Sequence, residues 1–193
     1  MSRTRVFRLF LLSLLASSAT AVADGPDYSY IQGSYGQVEV DDVDVDGDGF
    51  GISGSAALTE RFHLFGGYTT ADMGSGVDLN QLEAGVGYNH PVSDTVDVVL
   101  SLAYLSAEID LAGVGSIDDS GYGMGIGLRG MLTPEFEVNG ELQYVDFGDG
   151  GDDTGFGGGF LYSFTDQFAA GASGDWTGDI STYQLNARFL FGN

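Results

Sequence analysis

The 193-residue sequence has no cysteine, no lysine, three prolines and two histidines. The lack of cysteine excludes a disulfide framework, thiol chemistry and attachment of a lipid through a cysteine. Its six basic residues, all arginine, face 28 acids, for a formal charge of −22. A surface of that sign repels nucleic acid and anionic lipid alike. Long apolar runs are also missing, since no segment approaches the roughly 20 residues that carry a helix across a bilayer. Charge imbalance on this scale usually accompanies disorder, yet 43% of the residues are hydrophobic and 12% aromatic. The chain is therefore expected to fold.

The first segment reads as an address. Arg3, Arg5 and Arg8 precede an apolar stretch from Leu9 to Ala16, and Ala21-Val22-Ala23 closes it. This is the pattern of a secretory signal peptide, residues 1–23, cleaved after Ala23. Every acid lies beyond it, so residues 24–193, expected to form a single domain, carry three arginines against 28 acids, a charge of −25.

That domain lacks helical periodicity and shows instead alternation at period two over segments of about ten residues, bounded by Gly and Asp. In "FGISGSAAL" Phe50, Ile52, Gly54, Ala56 and Leu58 share one face. Later segments set Leu82, Ala84, Val86 and Tyr88, then Val98, Leu100, Leu102 and Tyr104, then Tyr183, Leu185, Ala187, Phe189 and Phe191 on one side. Ten such segments are counted, with eight as the alternative. In the first, Tyr28 to Val40, the parity is open, because Ile31 and Tyr35 compete with Tyr30 and Val38. Tight connections are expected at 59–61, 90–95, 132–135 and 165–167. Longer Gly/Asp-rich ones are expected near 41–48, 72–78, 109–119, 147–153 and 177–179. The fold class that follows is all-β: an antiparallel up-and-down transmembrane barrel with both termini at the tight-turn, periplasmic end.

A soluble barrel would turn its apolar face inward. Aromatic placement argues otherwise. Tyr68, Tyr104, Tyr122, Tyr144, Phe156, Trp176 and Tyr183 cluster at one end of the strands, and Phe62, Tyr88, Phe136, Phe164, Phe168, Phe189 and Phe191 at the other. Two bands of rings separated by aliphatic residues match the girdles of a membrane barrel. The opposite face holds Gln81, Glu83, Asp97, Glu137, Asn139, Glu141, Gln143, Gln184, Asn186 and Arg188, which belong in a polar lumen. From these a luminal ion-pair cluster is expected, centred on Arg129 with Glu137 and Glu141 and completed by Arg188, Glu83 and Asp97. The excess of inward acids would favour cations in any conduction. Glycines at 121, 123, 125 and 127, and at 155, 157 and 159, also fall on the inward face, where they leave room for long side chains from facing strands.

Two chemical readings are open to the acids. In "DDVDVDGDG" the carboxylates of Asp42, Asp44, Asp46 and Asp48 form a candidate metal set resembling the start of an EF-hand. Counted from Asp42, though, the twelfth position is Ser53 rather than a bidentate Glu, so the stretch is expected to join a wider acidic rim, read first as a solvated, mutually repulsive surface and second as one that recruits Ca²⁺ or Mg²⁺. With His63 and His90 both beside tight turns, no set of acid, base and nucleophile assembles at the outer rim, and no enzyme and no resident cofactor are expected.

The hairpin units "FGISGSAALTERFHLFGGY" and "LEAGVGYNHPVSDTVDVVLSLAY" and the closing strand "TYQLNARFLF" resemble the outer-membrane β-barrel domain family, the small OmpA-like and OmpX-like barrels, most nearly exported barrels of the xanthomonad type. The resemblance implies residence in the cell outer membrane of a Gram-negative bacterium as a monomer. Its implied partners are outer-membrane lipid, lipopolysaccharide and the barrel-assembly machinery; no nucleic acid is among them. A peptidoglycan-binding domain of the OmpA kind is not expected. The first functional expectation is a structural or surface-interaction role with acidic extracellular loops that bind divalent cations. The alternative is a narrow, cation-preferring, porin-like channel.

Overall fold

A computed structural model describes residues 25–40 and 45–191. Ten antiparallel strands follow one another around a closed barrel: β1 Tyr30–Val40, β2 Val45–Ala57, β3 Phe62–Asp72, β4 Val77–Ser93, β5 Val96–Leu111, β6 Gly115–Thr133, β7 Phe136–Asp146, β8 Asp152–Ser163, β9 Phe168–Thr177 and β10 Ile180–Leu190. β1 pairs with β10 over its whole length, from Tyr30 opposite Leu190 to Val40 opposite Ile180. Closure leaves no sheet edge within the membrane, where an unpaired backbone group has no water to turn to. Among the described residues no helix is long and apolar enough to cross a membrane.

The two faces of each strand separate by period. Ile52, Leu64, Leu82, Leu100, Leu102, Ile126, Leu128, Leu142 and Leu185 point outward and are exposed, as lipid-facing residues must be in a chain taken without its bilayer. β1 resolves with Ile31 and Tyr35 outward and with Tyr30, Gln32 and Val38 buried inside. The upper girdle marks the membrane boundary chemically: Tyr35 donates to Asp48 at 3.2 Å, Tyr68 to Asn80 at 2.8 Å and Tyr122 to Asp146 at 2.9 Å. Each ring lies against the apolar zone while its hydroxyl reaches a polar group above it. Phe156 stacks on Trp176 with ring centres 5.0 Å apart, and Trp176 meets Tyr183 edge-on. At the lower girdle Phe62 packs against Tyr88 and Phe168 against Phe189.

The expected contrast between tight and long connections is absent. Among the described residues the extracellular connections are 73–76, 112–114, 147–151 and 178–179, and the periplasmic ones are 58–61, 94–95, 134–135 and 164–167. Strand pairing continues through stretches that read as loops. β2 begins at Val45, so Asp46 and Asp48 lie on a strand and face outward, and β5 and β6 stay paired up to Leu111 opposite Gly115. β6, at 19 residues, covers roughly 60 Å against the 9–11 residues a membrane strand requires. β4, β5 and β6 thus extend well beyond the bilayer. Gly and Asp were misleading here because the glycines serve packing: a Cβ on Gly47 would run into the Asp72 carbonyl and the Met73 sulfur.

The lumen as candidate functional site

Alternation directs a second set of side chains inward, and these fill the barrel in layers. At the periplasmic end, residues 25–29 cross the mouth before β1 starts. Ser55 donates to the Tyr28 carbonyl at 2.8 Å, Ala57 N–H donates to the Ser29 hydroxyl, and Phe191 N–H donates to the Ser29 carbonyl at 3.1 Å. Tyr28 is thereby held inside the lumen. Its hydroxyl donates to Asp97 at 2.8 Å, its ring stacks on His63 at 4.5 Å, and the Arg129 guanidinium lies 4.5 Å from its ring centre. Burial pushes the Tyr28 hydroxyl well above the usual tyrosine range.

Arg129 is paired with Glu137 by two bonds, Nε to Oε1 at 2.8 Å and Nη2 to Oε2 at 3.0 Å, and both residues are only 1% exposed. The Asp27 carbonyl accepts a third bond from Nη2 at 3.1 Å. Fork-to-fork pairing of this kind fixes orientation as well as charge. The backbone register sets Arg129 opposite Asn139 rather than Glu137; the arginine reaches diagonally. Arg188 forms a second centre, 4.2 Å from the Tyr30 ring centre and bonded to Gln32. Gln32 in turn donates to Asn186 at 3.1 Å, and Asn186 to Ser173 at 3.1 Å.

The six residues grouped as one ion-pair cluster are divided by the structure. Arg129 and Glu137 form the ion pair and Asp97 joins them through Tyr28. Arg188 has its own amide network. Glu141 stands apart and accepts from the Ser101 hydroxyl at 3.0 Å, while Glu83 is buried with Oε1 lacking a hydrogen-bond partner. A further acid, outside that group of six, also lies inside: Asp175 is on β9, buried in the lumen, with Oδ2 unpartnered. Parity alone would have found it, because its neighbour Trp176 faces lipid. Tyr28, Gln32 and Ser101 were missed for another reason. Tyr28 precedes the first strand, and isolated polar residues inside alternating segments carry no signal of what they meet across the barrel.

Toward the outside the lumen turns apolar. Val38, Val40, Ala71, Met73, Leu79, Ile109 and Ile180 form one buried cluster, and Ala103, Leu105, Ala107, Val145 and Phe147 another. Between these closures, a cavity of about 20 Å³ is bordered by Arg129, Asn139, Glu141, Gln143, Ser173 and Asp175.

Of the candidate metal set, Asp42 and Asp44 lie outside the described residues. Asp46 and Asp48 project outward from β2 and do not converge on a point. Among the described residues no group of three or more His, Asp or Glu side chains is arranged to hold a metal ion. The acids above the girdle are instead lined up across strands: Glu39 is opposite Asp46, Asp48 opposite Asp72, Asp72 opposite Asp78 and Asp78 opposite Asp110. His63 is buried at the periplasmic end and His90 is exposed near the same end, both remote from that acidic row.

The closed ten-strand barrel, its lipid-facing aliphatic belt and its two aromatic girdles define an integral β-barrel protein of the cell outer membrane, reached after export through the inner membrane. A family model for the outer membrane protein beta-barrel domain matches residues 9–164, and the chain belongs to that family. Among solved structures it is similar to an outer membrane channel from Pseudomonas putida F1, with 12% identity, 94% of this chain and 100% of the other covered, and a TM-score of 0.55. It is likewise similar to the NanC porin, with 10% identity, 83% and 100% coverage, and a TM-score of 0.53. At these identities the likeness is one of fold. A search of curated protein sequences finds no match.

Proposed function

We propose that this protein is a narrow, cation-preferring channel, held closed in the conformation described. The observation that carries the reading is the charge of the interior. Glu83, Asp97, Glu137, Glu141 and Asp175 face inward against Arg129 and Arg188, an excess of three acids in a space walled by low-dielectric protein, where such a field repels anions. The closures at the two ends differ in kind. The extracellular one is a packed apolar cluster, whereas the periplasmic one hangs on a short segment anchored by Tyr28, so it is the natural place for opening. Refolded protein in a planar bilayer is expected to give small, cation-selective currents that grow when Tyr28 is replaced by Ala. Silence of both proteins across many insertions would refute the channel.

A second reading, a surface role supported by divalent cations, draws on the acidic row above the girdle. Like charges directly opposite each other on paired strands cost stability, and here Asp48, Asp72, Asp78 and Asp110 make three such pairs in succession, with Glu39 and Asp46 a separate one. Diffuse recruitment of Ca²⁺ or Mg²⁺ would relieve that repulsion and screen the rim from the phosphates of lipopolysaccharide. Thermal stabilisation of the refolded barrel by millimolar calcium, reduced in Asp72→Asn/Asp78→Asn, is the expected result. No stabilisation by calcium would retire this reading and leave the channel reading untouched.

A further inference from the structure

Midway along the lumen three carboxylates lack a countercharge. Glu83 is 4% exposed and Asp175 9%, and each has one oxygen without a hydrogen-bond partner. Glu141 is level with Gly157 on β8, which is level in turn with Asp175 on β9, so these two carboxylates lie on either side of a glycine. Neither arginine is committed to them. Arg129 is taken up by Glu137, and Arg188 lies over Tyr30.

The backbone is shaped to hold these side chains. A Cβ on Gly157 would strike Asp175 Oδ1, and one on Gly125 would strike Glu141 Oε1 and the Ser101 hydroxyl. The glycines on the inner faces of β6 and β8 therefore clear the space that the carboxylates cross. Glu141 and Asp175 both border the 20 Å³ cavity, with the Gln143 and Ser173 side chains beside them. That volume admits about one water-sized body. Buried carboxylates facing one another are tenable only when neutralised, since an uncompensated buried charge is strongly destabilising.

We infer that Glu141 and Asp175, which border the cavity, form a binding site for a single small monovalent cation inside the barrel. A divalent ion fits poorly: Ca²⁺ takes six to eight oxygens in its first shell, and among the described residues no group of three or more acids gathers to supply them. Anions are opposed by the carboxylates, even though Arg129 also borders the cavity. The inference deepens the channel reading and rests on it for the site's purpose, which would be to select the permeating ion.

The test compares thermal unfolding of the refolded barrel in sodium chloride and in N-methylglucamine chloride at equal ionic strength, alongside sodium NMR line broadening. Wild type is expected to melt about 2–4 °C higher in sodium, the shift expected for a ligand several-fold above its Kd, and to broaden the sodium line. Glu141→Gln/Asp175→Asn is expected to lose both effects. Equal midpoints with no broadening in wild type would overturn the site, leaving protons as the neutralising species. So would a sodium effect that survives intact in the double variant. Because the wild-type comparison decides by itself, a double variant that fails to fold does not protect the inference. If sodium acts on the protein but bilayers containing it or Tyr28→Ala stay silent, the site stands and the channel reading falls.

Discussion

Replacing Arg129 by Ala removes the bidentate partner of a buried carboxylate. Glu137 is 1% exposed and takes both of its strong bonds from that guanidinium. Losing one member of a buried pair costs about 3–5 kcal/mol, because the survivor is left charged and desolvated. The cation–π contact with Tyr28 and the bond to the Asp27 carbonyl go too, which places the expected loss toward the upper end of that range. Urea unfolding of the barrel refolded in detergent micelles, followed by tryptophan fluorescence, measures it directly. Trp176 is the single tryptophan and sits in the opposite girdle, so the signal reports global unfolding rather than local rearrangement. The informative control is Arg129→Met/Glu137→Leu, which removes both charges and fills the volume with apolar atoms. It is expected to restore stability to within about 1.5 kcal/mol of wild type. A loss below about 1 kcal/mol for Arg129→Ala, or a double variant as unstable as the single one, would refute the account of Arg129 and Glu137 as an interdependent buried pair.

Leu142→Arg places a charge on the lipid face of β7 and is expected to cost about 2–4 kcal/mol in a bilayer, whereas Gln143→Arg, one residue on but inside the lumen, is expected to cost less; reversible unfolding in lipid vesicles compares them. Gly157→Val would push a side chain into Asp175 and is expected to destabilise the barrel by roughly 1–3 kcal/mol, readable as a lower temperature for loss of the compact, heat-modifiable gel band. The pH dependence of Tyr28 has a fixed sign. Its folded-state pKa is raised above the unfolded value of 10.0 chiefly by burial, so its contribution is complete below the unfolded value and is lost as pH rises through the folded one. Wild type is accordingly expected to lose more stability than Tyr28→Phe above about pH 10, and equal losses in parallel unfolding titrations would contradict the buried placement of that hydroxyl.

The lipid-facing half of this molecule was legible in the sequence because the bilayer imposes a simple rule. Every second residue must tolerate hydrocarbon, and rings must gather where hydrocarbon meets water, so Leu100, Leu102 and Tyr104 declare their face and their height together. β1 escaped the rule because both of its faces carry rings. Tyr30 goes inward to lie under Arg188, a contact that joins residues more than 150 positions apart and leaves no local trace. Strand ends were misjudged for a related reason. Beyond the girdle the sheet is wet outside and apolar inside, so Asp and Gly alternate with Val and Leu, as in Val77 to Leu79. Composition there reads as loop even though the ladder continues.

In the interior, residues are legible in the sequence without their relations. Parity places Glu83, Glu137, Glu141 and Arg129 inside the barrel, yet nothing in a linear sequence says that Arg129 will choose Glu137 while Glu83 and Glu141 go without a base. Arg129 is level with Asn139, with Glu137 and Glu141 two residues to either side along β7, and its guanidinium turns toward the periplasmic end, where the Asp27 carbonyl and the Tyr28 ring also meet it. One layer of the lumen is consequently neutral and tightly bonded, and the next is acidic and short of partners. A barrel built only to be stable would have no use for the second layer, since apolar residues would fill it at lower cost. Its presence beside glycines that make room for it is the strongest physical argument that the interior serves an ion.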